Sequence, residues 1–264
     1  RPLAWHSCNP RLSATADCSI GVNAVSEDRI FNTKRAHIVD FAFDENVVAV
    51  FPDMIRRSVP GYETVVPLTG LMAARHLQHG DTAYDLGCSL GATTLAILQQ
   101  VHHDDVRVIG VDNAPAMIEQ AQAQITDPRA QFICADLNEV AVSNAKVIVL
   151  NFVLQFLEPA ARLPLLKRLR SQMRPDGLLI VSEKIRQDDP QRHEFFDATH
   201  LAWKRANGYS ELEVSQKRQS LENVMRVDSE DIHQQRFADA GFAGVDQWFR
   251  CMNWASFVAS PEKQ

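Results

Sequence analysis

No C-x-x-C pair occurs anywhere in the 264 residues, and the five cysteines (Cys8, Cys18, Cys88, Cys134, Cys251) are scattered and odd in number. Neither a zinc site nor a disulfide framework is therefore indicated, and a reducing cytoplasm is the simplest compartment. No apolar run approaches the roughly 20 residues needed to span a bilayer, so no membrane contact is expected. Positive charge is not in excess: 27 Lys and Arg stand against 33 Asp and Glu, a net charge of -6. A nucleic-acid surface wants a basic face, so direct nucleic-acid binding is not expected either. Internal repeats and low-complexity segments are also missing. What remains is 45% hydrophobic and 23% charged, enough apolar mass for one large domain or one domain with an appendage.

Residues 1–25 mix small, polar and turn-forming types without periodicity, and lack the apolar core of about 7–15 residues found in a secretory signal. A disordered tail is expected there, ahead of a single domain over 26–264. From Asp44 to His79 the pattern is helical. Pro52 suits a first turn better than a helix interior, so a new helical segment is expected to open there. Pro60-Gly61 marks a turn, and "VPLTGLMAARHLQHGD" reads as a helix ending at Gly80. The rhythm then changes. "TAYDLG", "RVIGVD", "AQFICAD", "AKVIVLNF" and "GLLIVSEKI" read as strands, the last introduced by a turn at Pro175-Asp176-Gly177. "GATTLAILQQVH", "APAMIEQAQAQI" and "AARLPLLKRLRSQM" read as the helices between them. Repeated β-α units imply a parallel sheet with helices on both faces, which binds ligands at the carboxyl ends of its strands. A charged helical insert at about 187–226 precedes a final helix and an antiparallel hairpin.

"YDLGCSLGATT" (84–94) admits two readings. Gly87-Cys88-Ser89-Leu90-Gly91 spells G-x-S-x-G, the elbow of a serine hydrolase, which needs an acid and then a histidine later in the chain. His193, His200 and His233 come late, but none follows a strand where the triad requires it. The other reading is a glycine turn cradling a nucleotide-like cofactor. Gly87 permits the tight turn, Gly91 the close approach, and Asp112 ends the next strand, where a carboxylate can take ribose hydroxyls. Position 89 is Ser89, so the middle glycine of the dinucleotide pattern G-x-G-x-x-G is missing. Asp85 before the turn would repel a pyrophosphate but suit an ammonium group, directly or through water, which favours S-adenosylmethionine. Asp136 can accept from the adenine amino group, the backbone N–H of Leu137 can reach a ring nitrogen, and Asn151 ends the fourth strand facing the methionine part. The plain alternative for such an Asp is a helix cap.

These residues resemble the class I S-adenosylmethionine-dependent fold, a doubly wound, mostly parallel seven-stranded sheet of methyltransferase-like Rossmann type. "FPDMIRRSVPGY", "DNAPAMIE", "VLNFVLQFLEP", "SEK", "KRANGYSELEVSQKR" and "LENVM" resemble more narrowly the carboxy-S-adenosyl-L-methionine synthases, over roughly Asp28 to Ala259. The resemblance implies that S-adenosylmethionine and prephenate become carboxy-S-adenosylmethionine and phenylpyruvate. The leaving hydroxide of prephenate could take the methyl proton, which makes a protein base unnecessary. It also implies that Tyr62, Gly87, Cys88, Ser89, Asp112, Asn113, Asp136, Leu137, Asn151 and Arg218 contact cofactor or product, with Arg218 as the catalytic cation for the new carboxylate. A homodimer is implied, as is transfer of the product to an enzyme modifying the wobble uridine of tRNA. His200 and Lys204-Arg205, in the insert, are candidates to hold prephenate, a dicarboxylate. Read without the resemblance, Lys217 and Arg218 are a solvated helix face and Tyr62 is as readily a core residue. A methyltransferase with a small-molecule acceptor shares every cofactor residue, and a catalytically inert cofactor-binding protein stays open beside it.

Overall fold

Seven strands form one sheet: β1 (Thr82–Leu86), β2 (Arg107–Asp112), β3 (Ala130–Cys134), β4 (Ala145–Asn151), β5 (Met173–Lys184), β6 (Gly244–Cys251) and β7 (Trp254–Ser260), in the order β3-β2-β1-β4-β5-β7-β6. This computed structural model describes residues 26–33, 43–222 and 224–262; the expected tail over 1–25 lies outside them. The first five strands are parallel, and β7 runs antiparallel between β5 and β6. β1 is buried along its whole length and β4 up to Asn151. Strands covered on both faces have no solvent side, which is why they read as unbroken apolar runs.

Alternate side chains of the strands feed two separate cores, as a period of two requires. Leu86, Val111, Leu150 and Val181 pack with α5 (Pro159–Gln172) and α8 (Glu230–Asp239) on one face. Ala83, Val108, Val149 and Ile180 pack with α2 (Tyr62–His76) and α3 (Ala92–Gln100) on the other. α4 (Pro115–Gln124) packs through Met117 against α1 (Glu45–Ser58). The chain leaves β1 towards β2 and β3, then returns to place β4 on the opposite side. The crevice at the carboxyl ends of β1 and β4 is therefore the switch point where such sheets bind ligands. The insert contains α6 (Pro190–Ala206) and α7 (Glu211–Glu222). Among the described residues no helix is long and apolar enough to cross a membrane.

Three local expectations are corrected. Pro52 opens no new segment: α1 runs through it, because Val47, Val50 and Met54 share one buried stripe on both sides of it. That packing outweighs the single backbone hydrogen bond a proline forfeits. α2 opens at Tyr62, directly after left-handed Gly61, and ends at His76, four residues before Gly80. The turn at 175–177 is absorbed into β5 as an irregularity, where pairing with β4 jumps from Ala145↔Met173 to Val147↔Leu178.

Candidate active site

The segment after β1 is built for close approach. Gly87 and Gly91 both adopt positive φ, +76° and +79°. A Cβ on Gly87 would collide with Val153, and one on Gly91 would lie 2.6 Å from Ile125 Cδ1. Only glycine meets both demands without strain. Ser89 between them also has a positive φ, +50°. Its amide donates to Asp112 Oδ2 at 2.9 Å, while the Ala114 amide donates to Oδ1 at 3.0 Å. One carboxylate at the end of β2 thus ties the glycine turn to the start of α4. Burial raises the Asp112 pKa, and the amide donors oppose that shift.

A cavity of about 360 Å³ opens over these strand ends. Tyr62, Gly87, Cys88, Ser89, Asp112, Asn113, Asp136, Leu137 and Asn151 all line it. Nine of the ten residues expected to meet the cofactor or product therefore share one space. Tyr62 packs its ring 6.2 Å from that of Phe152. Asn151 donates through Nδ2 to Thr93 Oγ1 at 3.0 Å, and its Oδ1 is buried without a partner. An orphaned acceptor in such a cavity calls for a ligand N–H donor, and the ammonium of S-adenosylmethionine is one.

Asp85 does not take that role directly. It is buried, accepts from the Thr94 amide at 2.9 Å and from Thr94 Oγ1 at 2.7 Å, and does not line the cavity. It pins α3 to β1, the plain capping reading of an Asp near a helix start. Burial pushes its pKa up to about 6.

Arg218, the tenth residue, lies elsewhere. It sits on α7 with its side chain 58% exposed, 3.3 Å from Asp197, and does not line the cavity. Lys217, its neighbour in sequence, turns inward and does line it. Arg205 is also outside, 45% exposed and 4.0 Å from Glu211, whereas His200 and Lys204 line the cavity. Lys184 and Trp254 are among the lining residues not expected from the sequence. Lys184 ends β5, the kind of strand-end position that singled out Asp112 and Asn151. Glu183 beside it is fully buried and accepts from the amides of Val153, Leu154 and Gln155, so it shapes the wall after β4.

No triad forms around Ser89. Its Oγ lies 3.3 Å from Met117 Sδ, while His200 Nε2 bonds Ser58 O at 2.9 Å and His233 contacts Arg236 at 3.3 Å. Burial, with Asp85 next, raises the Cys88 thiol, so no thiolate nucleophile is poised there. A fluorophosphonate probe is accordingly expected to leave Ser89 unlabelled, as read by intact mass; a covalent adduct would restore the hydrolase reading. Among the described residues no cluster of three or more His, Cys, Asp or Glu is placed to hold a metal ion.

The comparisons agree with this architecture. A family model for a methyltransferase domain matches residues 83–177. Human N-acetylserotonin methyltransferase, solved with SAM, superposes with a TM-score of 0.57 at 14% identity, covering 83% of this chain and 55% of that one. An O-methyltransferase family protein from Burkholderia thailandensis superposes at 0.60 and 17% identity, covering 83% and 61%. At those identities the likeness speaks for the fold. Sequence relatives are nearer. The carboxy-S-adenosyl-L-methionine synthase of Geobacter sp. (strain M21) is 50% identical over 238 residues, 88% of this chain and 97% of that protein. That of Escherichia coli (strain K12) is 46% identical over 236 residues, 88% and 96%. With such identity held almost end to end, the chain belongs to the carboxy-S-adenosyl-L-methionine synthase family.

Proposed function

We propose that the chain converts S-adenosyl-L-methionine and prephenate to carboxy-S-adenosyl-L-methionine and phenylpyruvate. Prephenate loses carbon dioxide and its ring hydroxide, the S-methyl group loses a proton and gains the carbon dioxide, and proton and hydroxide leave as water. The observation that carries this is a cavity lined by two kinds of group. Asp112 and the glycine turn offer a cradle for a nucleoside, and Asn151 an acceptor for an ammonium. Lys184 and Lys204 line the same space and add positive charge to it, as a reaction that brings in a dicarboxylate needs. A downstream enzyme would use the product on the wobble uridine of tRNA.

The deciding experiment incubates the purified chain with both substrates and reads the nucleoside product by mass. A gain of one carbon dioxide, dependent on prephenate and matched by phenylpyruvate, is expected. Methylation of an added small molecule without that gain would favour the methyltransferase reading, and no turnover the inert one.

Arg218 enters this proposal as the cation for the product carboxylate. In one chain it is engaged by Asp197 outside the cavity, so it must either swing inward or reach the cavity of a second copy. Arg218→Ala is expected to weaken carboxy-S-adenosylmethionine binding by roughly 1.5–3 kcal/mol, about tenfold or more. S-adenosylhomocysteine, which lacks the carboxylate, keeps its affinity, and Arg218→Lys falls between because it loses the two-pronged donor. Equal losses for both ligands in calorimetry would make Arg218 a structural residue. Activity regained on mixing Arg218→Ala with Asp112→Ala subunits would place the arginine in its neighbour's cavity and establish the homodimer as the working unit.

A further inference from the structure

Four cations converge where the insert meets the end of β5: Lys184, Lys204, Lys217 and Arg218. Two of them have a carboxylate. Lys217 Nζ lies 3.3 Å from Asp28 Oδ2 and bonds Ser58 Oγ at 2.8 Å. Arg218 has Asp197. The ammonium groups of Lys184 and Lys204 have no hydrogen-bond acceptor and no ion-pair partner among the described residues, and both line the cavity.

Lys204 is the sharper case, being only 7% exposed. A buried ammonium without a counter-charge is unfavourable, and proteins rarely hold one without a use for it. Its surroundings show the strain: burial, then Lys217 and Lys184, pull its pKa down to about 7, and only Asp197 opposes them. Lys184 stands 5.5 Å from the centroid of Trp254, whose ring meets His200 edge-on at 4.5 Å. His200 adds no charge, since burial and Lys204 hold its pKa down at about 3. Among the described residues, therefore, neither the Lys184 nor the Lys204 ammonium group has a carboxylate in direct contact, and both stand in the cavity that Trp254 also lines.

We propose that Lys184 and Lys204 form the anion subsite of this cavity, holding the two carboxylates of a cyclic dicarboxylic second substrate against Trp254. The inference rests on the reading that prephenate is that substrate. It separates Lys204 from Arg205, which faces solvent, and adds Lys184 from outside the insert.

The test uses Lys184→Gln, Lys204→Gln and Lys204→Met in the full chain. Each is expected to raise the prephenate KM about tenfold or more, as loss of a charge-assisted contact does. S-adenosylhomocysteine affinity should stay within about twofold, a change too small to represent a lost ionic contact. Lys204→Met should melt about 2 °C higher than wild type or more, because it removes an unpaired buried charge. A variant that is more stable yet binds its substrate worse is not explained by a structural role. Unchanged KM overturns the proposal. So does a parallel loss of S-adenosylhomocysteine affinity, which would assign the lysines to the methionine carboxylate.

If the wild type fails to turn over prephenate, the proposed reaction falls, and the subsite is decided by calorimetry. Homophthalate, an aromatic ring bearing two carboxylates, is titrated into the S-adenosylhomocysteine complex. Binding to wild type that is lost in Lys184→Gln and Lys204→Gln upholds the subsite. No binding, or equal binding in the variants, overturns it.

Discussion

Glu183→Ala is expected to destabilise the protein by about 3–5 kcal/mol, seen as a drop in Tm of roughly 10 °C. The reason is geometric. Oε1 accepts from Val153 at 3.1 Å and Leu154 at 2.7 Å, and Oε2 from Gln155 at 3.1 Å. Alanine leaves three buried amides without acceptors, each worth about 1–3 kcal/mol. Glu183→Gln keeps the Oε1 acceptor but turns an NH₂ group towards the Gln155 amide, so about half the loss should remain. Burial pushes the Glu183 pKa up to about 8, against the pull of the three amides and Arg162. The native state then holds a proton that the unfolded chain releases at the ordinary glutamate pKa. Stability from this group is therefore full at low pH and is lost as pH rises from that range through about 8, and Glu183→Gln should flatten the slope. Thermal melts across that window check both claims; a pH-independent Tm difference between wild type and Gln would remove the titration argument. Val153 and Gln155 line the cavity, so substrate affinity should fall with the wall.

The second large effect belongs to Asp112. Asp112→Ala should weaken S-adenosylhomocysteine binding by about 1–3 kcal/mol, roughly 5- to 150-fold. Two losses combine. Ribose hydroxyls lose a charged acceptor, and the Ser89 and Ala114 amides lose the group that sets the glycine turn against α4. Asp112→Asn keeps one oxygen and the side-chain shape, so it should lie between wild type and alanine. Calorimetric titration of a variant whose folding is verified by circular dichroism is the measurement. Unchanged affinity would mean that the ribose is held elsewhere.

The sheet was legible because burial on both faces writes a parallel strand as an apolar run, a local signal. Asp112, Asp136 and Asn151 were legible for a related reason: a polar residue at or just past such a run marks the edge of the crevice. Asp85 obeyed the same rule yet faces α3, since the rule does not tell a carboxylate lining the crevice from one facing the next helix. Thr94, nine residues on, decided that. Glu183 gave no warning, because its three amide partners lie about 30 residues upstream and meet it only across paired strands. Lys217 and Arg218 show the limit most plainly. Successive residues on a helix point about 100° apart, so one is buried against Asp28 and the other meets solvent, while "SQKR" spells both as surface charge.

The position of β7 has a consequence for the order in which the molecule can be made. The parallel strands β1 to β5 precede the insert in the chain, and β7, made after β1 to β6, docks against β5, register Leu179↔Ala259 through Lys184↔Trp254. Until it emerges from the ribosome, β5 carries an open row of backbone donors and acceptors. An unpaired apolar edge of this kind invites pairing with other chains. Trp254, which begins β7, also lines the cavity. A nascent chain stalled before that residue would thus hold the glycine turn and the insert, lack one aromatic residue of the cavity lining, and carry an aggregation-prone border instead.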